Sequence, residues 1–237
     1  MKGPPLLQVV LRWFFHLLYN PFAWAYDLVA AVVSGGRWWD WAFCVLPYLE
    51  GQRVLELGFG SGHLLKRMSE LGVTAYGIDA SYSMSRVCGR LMGGLVGVNW
   101  LVINGYAQYL PFPSNHFHQV VATFPTDFLW QPLTVQQIYR VLIPGGKLIA
   151  LPSVWITGKR PYERFLAWLY KFTGQSLFEE GHAEQYITRP FAQVGFQVWV
   201  ERIRHKSGTL LLMQAQKPGP VEVQEMCGCT QHFYILL

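Results

Sequence analysis

Hydrophobic residues follow two different periods along the chain, and the period changes at glycine-rich turns. Helical spacing predicts helices over 21–33, 38–49 and 186–194, and another that ends at 71. Short apolar runs predict strands at 53–57, 74–78, 117–121, 147–151, 196–201 and 209–215. Strands that alternate with helices indicate an α/β protein built on a mostly parallel sheet.

A glycine-rich loop follows the first predicted strand and opens a helix. Gly58, Gly60 and Gly62 let the backbone approach a ligand closely and direct helix N-terminal amides at it. Asp79 ends the second strand about 20 residues later, where a carboxylate can hold ribose hydroxyls. Without Asp79 the glycines would equally fit a tight turn. His63 replaces the third glycine of the dinucleotide fingerprint, which argues against a pyrophosphate cofactor.

Four motifs in order point to one family. They are 54–62 (VLELGFGSG), 77–81 followed by Met84, 107–113 with the strand at 117–121, and 142–148 (LIPGGKL). From about Tyr26 to Gln216 the chain resembles the class I S-adenosylmethionine-dependent methyltransferases, especially the small-molecule, lipid and quinone branch called methyltransferase type 11. The resemblance implies a Rossmann-like, doubly wound, seven-stranded sheet in three α/β/α layers, with N-terminal helices and a helical lid.

The resemblance also implies S-adenosylmethionine as the cofactor and a role for each motif. Glu56 would hold the methionine amino group, Asp79 both ribose hydroxyls, and Met84 the adenine face. Thr123 would lie beside the sulfonium, and Tyr26 would cover the cofactor. The expected cofactor-binding residues are Glu56, Gly58, Phe59, Gly60, Gly62, Asp79, Ala80, Met84, Gly105, Tyr106, Ala107, Gln108, Thr123 and Tyr26, with Asp27 and Phe124 as neighbours in the same motifs.

Two positions depart from the family pattern. Tyr106 and Gln108 stand where the family commonly has acids, so the carboxylate that usually meets the adenine amino group is missing. Gln108 or a backbone carbonyl would replace it, and Tyr106 would be a core or rim aromatic. His118 stands where the fourth strand often has an aspartate. Because Glu56 and Asp79 are present, we expect cofactor binding to survive.

The first 50 residues form a predicted helical segment ahead of the methyltransferase domain, which is expected at 51–216. A helix over 5–19 carries a wide apolar arc beside a narrow polar stripe, and it lies either in a lipid interface or against protein. Charged residues interrupt every apolar run before it reaches membrane-spanning length. The segment lacks a convincing cleavage site, so we expect it to be retained.

An insertion over about 153–181 is the predicted lid, and 217–237 is the predicted tail. The lid mixes helically spaced apolar residues with basic ones, a pattern typical of a cover over an apolar substrate, of contact with anionic lipid, or of a simple amphipathic helix. Methyl transfer from a sulfonium is a direct displacement that depends mainly on alignment and exclusion of water. Glu180, His182 and His205 are the candidate bases.

Composition narrows the function classes. The chain is 51% hydrophobic and 14% charged, which excludes disorder and a coiled coil. Its net charge of +5 comes from scattered residues, so no nucleic-acid patch is indicated. The four cysteines match neither a zinc site nor a disulfide framework, which fits a reducing cytoplasm. We expect no metal.

These features predict a methyltransferase that acts on a hydrophobic small molecule such as a quinone precursor or a phospholipid. We expect it in the cytoplasm, peripheral on the inner face of the membrane. Two alternatives stay open: a noncatalytic methyltransferase-like binding or assembly protein, and a nicotinamide-dependent reductase, which His63 disfavours. The oligomeric state and the acceptor atom do not follow from the sequence.

Overall fold

The computed structural model describes residues 26–94, 99–156, 183–206 and 208–219. Seven strands form one sheet: β1 (Arg53–Leu57), β2 (Thr74–Asp79), β3 (Trp100–Asn104), β4 (Phe117–Thr123), β5 (Leu142–Ile156), β6 (Gln197–His205) and β7 (Gly208–Gln216). Their spatial order is β3-β2-β1-β4-β5-β7-β6. All neighbouring strands are parallel except β7, which runs antiparallel to β5 and β6. The predicted mostly parallel, seven-stranded α/β class is confirmed.

Helices cover both faces of this sheet. They are α1 (Tyr26–Ser34), α2 (Trp38–Ala42), α3 (His63–Glu70), α4 (Tyr82–Met92), α5 (Pro132–Val141) and α6 (Ala183–Val194). Leu55 of β1 packs in a cluster with residues of α5 and α6, whereas its neighbour Val54 packs in a second cluster with residues of α2, α3 and α4. Because successive strand residues point to opposite faces, the sheet lies between two helical layers.

The strand order reverses between β1 and β4, and this point positions the site. Ligands of open α/β sheets bind outside the carboxyl ends of the strands where the order reverses. The loop after β1 and the N-terminus of α3 lie there. Gly77 of β2 allows this loop to sit close to the sheet, since a Cβ at Gly77 would lie 2.6 Å from Leu65 and 2.7 Å from Phe59.

Strand β5 is longer than predicted and continues to Ile156, so it includes the first residues of the segment predicted as a lid over about 153–181. The antiparallel ladder with β7 continues from Ser153 opposite Leu211 to Ile156 opposite Gly208. β5 is extended because it pairs with β7, which lies more than 50 residues further along the chain. The hydrophobic pattern around 153–156 does not show this pairing. The rest of the predicted lid lies outside the described residues, together with Glu180, His182 and the predicted helix over 5–19.

Lys217 belongs to the fold, although the predicted tail begins there. Its backbone N–H donates to the carbonyl of Gly146, and its own carbonyl accepts from Gly145. Its Nζ donates to the carbonyls of Tyr139 at 2.9 Å and Leu142 at 2.8 Å. Partial burial lowers the pKa of this amine. These bonds join the end of β7 to the turn that precedes the central part of β5.

None of the helices in the described ranges is both long and apolar enough to cross a membrane.

Candidate functional site

A small pocket lies at the carboxyl ends of β1 and β4. Six of the residues predicted from the sequence line it: Tyr26, Glu56, Gly58, Phe59, Gly60 and Thr123. Four others, Trp38, Trp39, Ser61 and Phe124, complete the lining. The pocket therefore joins the glycine loop and the end of β4 to the N-terminal helices, which the sequence had assigned to a separate segment.

The glycine loop adopts a backbone that only glycine accepts easily. Gly58, Gly60 and Gly62 have φ values of 71°, 55° and 89°, all in the left-handed region. A Cβ on Gly60 would meet no atom within 4 Å, so open space lies beside the loop there. A Cβ on Gly62 would collide with Sγ of Cys88 on α4. Gly62 thus packs the loop against the protein, while Gly60 faces the pocket.

Asp79 ties the end of β2 to this loop. Its Oδ2 accepts a hydrogen bond from the Gly60 N–H at 2.9 Å, and its Oδ1 accepts one from the Ser81 N–H at 2.8 Å. Burial raises the pKa of the Asp79 carboxyl, and the two backbone N–H bonds oppose that rise. An ionised carboxylate has about four acceptor sites, so two remain for hydroxyl groups of a ligand.

Glu56 is a buried carboxyl with an unused oxygen. The residue is 2% exposed, and its Oε2 has no hydrogen-bond partner within the described residues. Burial and the nearby Asp79 carboxylate raise the pKa of Glu56 well above its ordinary value, while the Leu65 N–H lowers it in part. A buried polar atom without a partner is costly. A ligand ammonium group in the pocket would satisfy this oxygen.

The other predicted cofactor residues lie near the ends of β2 and β3, outside the lining of this pocket. Gly105 N–H donates to the carbonyl of Asp79 at 2.9 Å, and Gln108 Nε2 donates to Gln131 Oε1 at 2.7 Å. Tyr106 is 62% exposed, which makes it a rim aromatic. The remaining members are Ala80, which is exposed, Ala107, which is buried, and Met84, which is fully buried.

Met84 does not present a surface to a ligand in this conformation. It lies in the first turn of α4, where Ser81 Oγ caps the helix by accepting its N–H at 3.1 Å. Contact between its side chain and a ligand ring would require a side-chain movement. The predicted adenine contacts at Met84 and at 105–108 stay predictions.

Phe124 carries an unusual backbone at the end of β4. Its φ is +47°, a left-handed value that non-glycine residues seldom adopt. The ring centroid lies 4.5 Å from that of Trp38. Strain of this kind concentrates at functional sites, where the surrounding structure holds it in place. Thr123 and Phe124 therefore form a fixed wall of the pocket.

Asp27 of α1 contacts the glycine loop directly. Ser61 Oγ donates to its Oδ1 at 2.7 Å, and His63 Nε2 lies 3.0 Å from its Oδ2. Partial burial would raise the pKa of Asp27, but the bonds to His63 and Ser61 outweigh it and lower the pKa. Trp39 stacks on His63 with the ring centroids 4.1 Å apart. Ser61 falls within the motif at 54–62 but has no role assigned from the sequence, and no local pattern marks Trp38 or Trp39.

Two histidines that the sequence singled out lie outside the lining of the pocket: His118, which departs from the family pattern, and His205, a candidate base. His118 accepts the N–H of Arg53 through Nδ1 at 3.2 Å, so it ties β4 to β1 in place of the family's acid. His205 ends β6, three strands from β4 in the sheet order. At about 4.8 Å per strand the separation is roughly 14 Å, which does not favour His205 as a base for chemistry at Thr123. Within the described ranges, no cluster of His, Cys, Asp or Glu could hold a metal ion.

Comparisons with known proteins agree with this arrangement. A family model described as a methyltransferase domain matches residues 54–146. The ubiquinone/menaquinone biosynthesis C-methyltransferase UbiE of Wigglesworthia glossinidia brevipalpis is 28% identical over 163 residues, covering 65% of this chain and 62% of that protein. UbiE of Pseudomonas putida strain F1 is 29% identical over 181 residues, covering 72% of this chain and 71% of that protein.

Solved structures show the same fold. Phosphoethanolamine N-methyltransferase 2 of Haemonchus contortus, in complex with phosphomonomethylethanolamine and S-adenosylhomocysteine, aligns with a TM-score of 0.57 at 18% identity. The alignment covers 78% of this chain and 53% of that chain. At this identity the likeness concerns the fold alone.

Proposed function

We propose that this chain is a class I S-adenosylmethionine-dependent methyltransferase and that it transfers the cofactor's methyl group to a carbon atom of a hydrophobic, quinone-like acceptor. The observation that carries the proposal is the similarity to two UbiE C-methyltransferases. The methyltransferase-domain model, which matches residues 54–146, includes the glycine loop. The alignments span 62% and 71% of those proteins, and the acceptor is therefore a proposal rather than a property of the family.

The residues around the pocket fit the cofactor. Glu56 Oε2 is a buried oxygen without a hydrogen-bond partner in the described residues, and the methionine ammonium group would donate to it. Asp79 has acceptor capacity for two ribose hydroxyls, and Gly60 leaves space for the amino-acid part. When bound, S-adenosylmethionine supplies an electrophilic methyl group on a sulfonium. The predicted assignments of Glu56, the glycines, Asp79 and Thr123 are part of this proposal.

The lining of the pocket favours an apolar acceptor. Aromatic residues make up half of it, namely Tyr26, Trp38, Trp39, Phe59 and Phe124. Among the described residues that line it there is no lysine or arginine to pair with a phosphate or carboxylate of an acceptor. Charged groups without a partner are expensive to bury, whereas a planar apolar ring packs well against aromatic side chains. A phosphorylated amine, as in the Haemonchus contortus complex, fits this lining less well.

The protein's own contribution to the reaction is alignment and exclusion of water. Thr123 and Phe124 form a fixed wall at the end of β4, and the N-terminal helices enclose the other side of the pocket. Holding the acceptor carbon in line with the methyl group removes much of the entropic barrier. As the ring carbon bonds to the methyl group, the methyl–sulfur bond would break, S-adenosylhomocysteine would leave, and the proton of that ring carbon would be lost to water. A ring carbon activated by its own ring hydroxyl needs no strong protein base for this loss. This agrees with a described pocket lining that contains no histidine.

A hydrophobic acceptor would reach the enzyme from a membrane, so we also propose peripheral association of a cytoplasmic protein with the membrane surface. Leu28 and Val32 of α1 are exposed apolar residues on one helix face, four positions apart. They support contact between the N-terminal part of the chain and an apolar surface.

Transfer of radiolabelled methyl from S-adenosylmethionine tests the function. We expect label in the organic phase with a demethylated prenyl hydroquinone as acceptor, and background with phosphoethanolamine. The Asp79→Ala variant is the matched negative control, with at least a 100-fold loss expected. Cofactor binding without turnover on any acceptor would instead favour the noncatalytic binding protein.

The variant Glu56→Gln separates stability from function. In the ligand-free protein, folded Glu56 holds its proton more tightly than the unfolded chain does. The free energy of unfolding therefore falls as pH rises from the ordinary glutamate pKa of 4.5 towards the raised value. Glutamine carries no charge to desolvate and still accepts the Leu65 N–H. We expect the unfolding temperature of Glu56→Gln to equal or exceed that of the wild type at pH 8. At pH 4 the unfolding temperatures of the two proteins should differ less.

The same variant should bind S-adenosylmethionine about tenfold or more weakly, because a neutral amide replaces a charged partner of the ammonium group. Thermal unfolding at both pH values and calorimetric titration measure the two effects. A large loss of stability at pH 8 would show that the Glu56 charge supports the fold, contrary to this account.

A further inference from the structure

Among the described residues, few side chains of helix α1 are fully buried. Among its described side chains only Ala30 and Ser34 are buried, whereas Leu28 is 65% and Val32 is 68% exposed. A short helix held by so little buried surface opens at low cost. The polar contacts of Asp27 must therefore provide much of what keeps α1 closed over the pocket.

A pair of glycines in the left-handed region ends α1. Gly35 and Gly36 end the helix with φ values of 60° and 79°, and a Cβ on Gly36 would meet no atom within 4 Å. Glycine pairs of this kind absorb backbone rotation at a hinge. Ser34 Oγ, at the end of α1, accepts the N–H groups of Arg37 and Trp38 across this glycine pair, which ties the end of α1 to the start of α2.

Asp27 connects α1 to the glycine loop at two points, Ser61 Oγ and His63 Nε2. His63 also stacks on Trp39 of α2, so the loop holds both N-terminal helices at once. These bonds place Tyr26 and Trp39 in the lining of the pocket. His63, which argued against a pyrophosphate cofactor by its position in the sequence, thereby gains a positive role.

We propose that Asp27 is a positioning residue that clasps α1 to the glycine loop through Ser61 and His63, and that release of this clasp limits the departure of the cofactor product. The inference rests on the proposed cofactor site, since the clasp encloses that pocket. Breaking two hydrogen bonds to a carboxylate frees the N-terminal end of α1 from the glycine loop, while Ser34 keeps its C-terminal end tied to α2. With the clasp intact, Tyr26 and Trp39 cover the bound cofactor and exclude water from it.

Stopped-flow release of S-adenosylhomocysteine from the full chain tests the clasp. We expect Asp27→Ala to release the product about tenfold or more faster than wild type and to bind S-adenosylmethionine correspondingly more weakly. Asp40→Ala is the matched control, because Asp40 is an exposed acid on α2. It should change the release rate less than twofold. The unfolding temperature of each variant is measured in parallel.

A double-mutant cycle gives the second readout. If Asp27 acts through His63, then His63→Ala should add little to the release rate in the Asp27→Ala background. Additive effects, or a lower unfolding temperature with an unchanged release rate, would overturn the proposal and leave Asp27 a structural residue. If the wild-type chain binds neither S-adenosylmethionine nor S-adenosylhomocysteine, the proposed function is wrong. If the wild-type chain binds them and the Asp27→Ala variant releases S-adenosylhomocysteine at the wild-type rate, only the proposed role of Asp27 is wrong.

Discussion

Replacing Asp79 with alanine should weaken S-adenosylmethionine binding at least 100-fold. The variant loses the acceptor for two ribose hydroxyls, and each hydrogen bond to a charged group is worth about 1.5–3 kcal/mol. It also removes the partner of the Gly60 N–H at 2.9 Å and of the Ser81 N–H at 2.8 Å, so the glycine loop loses its tie to β2. Calorimetric titration measures the affinity of both proteins directly.

A matched acid outside the pocket controls for the loss of charge. Asp127 begins the turn after β4 and is exposed, so Asp127→Ala should bind the cofactor within about twofold of wild type. Asp79→Asn should fall between the wild type and Asp79→Ala, because an amide keeps one acceptor oxygen. An affinity of Asp79→Ala within threefold of wild type would mean that the ligand does not contact this carboxylate.

The substitution Gly62→Ala should lower the free energy of unfolding by about 2–5 kcal/mol. An alanine at φ of 89° is strained by roughly 1–2 kcal/mol, and its Cβ collides with Sγ of Cys88 in a packed interior, which adds roughly 1–3 kcal/mol. Denaturant unfolding measures the loss. Adding Cys88→Ala to this variant should restore part of it, because the colliding sulfur is gone.

Gly60→Ala provides the contrast within the same loop. Gly60 is also left-handed, with φ of 55°, but a Cβ there meets no atom within 4 Å. Its cost in stability should be only about 1 kcal/mol, while the added methyl group occupies space intended for the cofactor. We therefore expect Gly60→Ala to remain folded and to bind poorly. Equal losses of stability at Gly60 and Gly62 would contradict the assignment of one to the pocket and the other to packing.

Local patterns predicted the centre of the fold well. The strand at 53–57 was predicted with the bounds that β1 has, and the carboxylate of Asp79 lies beside the glycine loop as its position at the end of β2 indicated. These features are encoded within about 30 residues of one another, as a strand, a turn and a helix. Short-range patterns of this kind allow prediction because the spacing of the hydrophobic residues and the positions of the glycines both indicate the same strand, turn and helix.

Contacts between distant segments were not predictable in the same way. The bond between Asp27 and Ser61, the stacking of Trp39 on His63 and the extension of β5 to Ile156 each join residues that no local pattern links. Tertiary packing decides them. The same reason explains why the N-terminal helices were predicted as a separate segment, although α1 and α2 form one wall of the pocket.

Titration calorimetry of the unmodified chain with S-adenosylmethionine, S-adenosylhomocysteine and NADH tests the central claim most directly. The account predicts that both sulfur compounds bind at one site per chain and that NADH does not bind. Binding of NADH, or no binding of either sulfur compound, would contradict it and would leave a methyltransferase fold that does not hold the cofactor of its family.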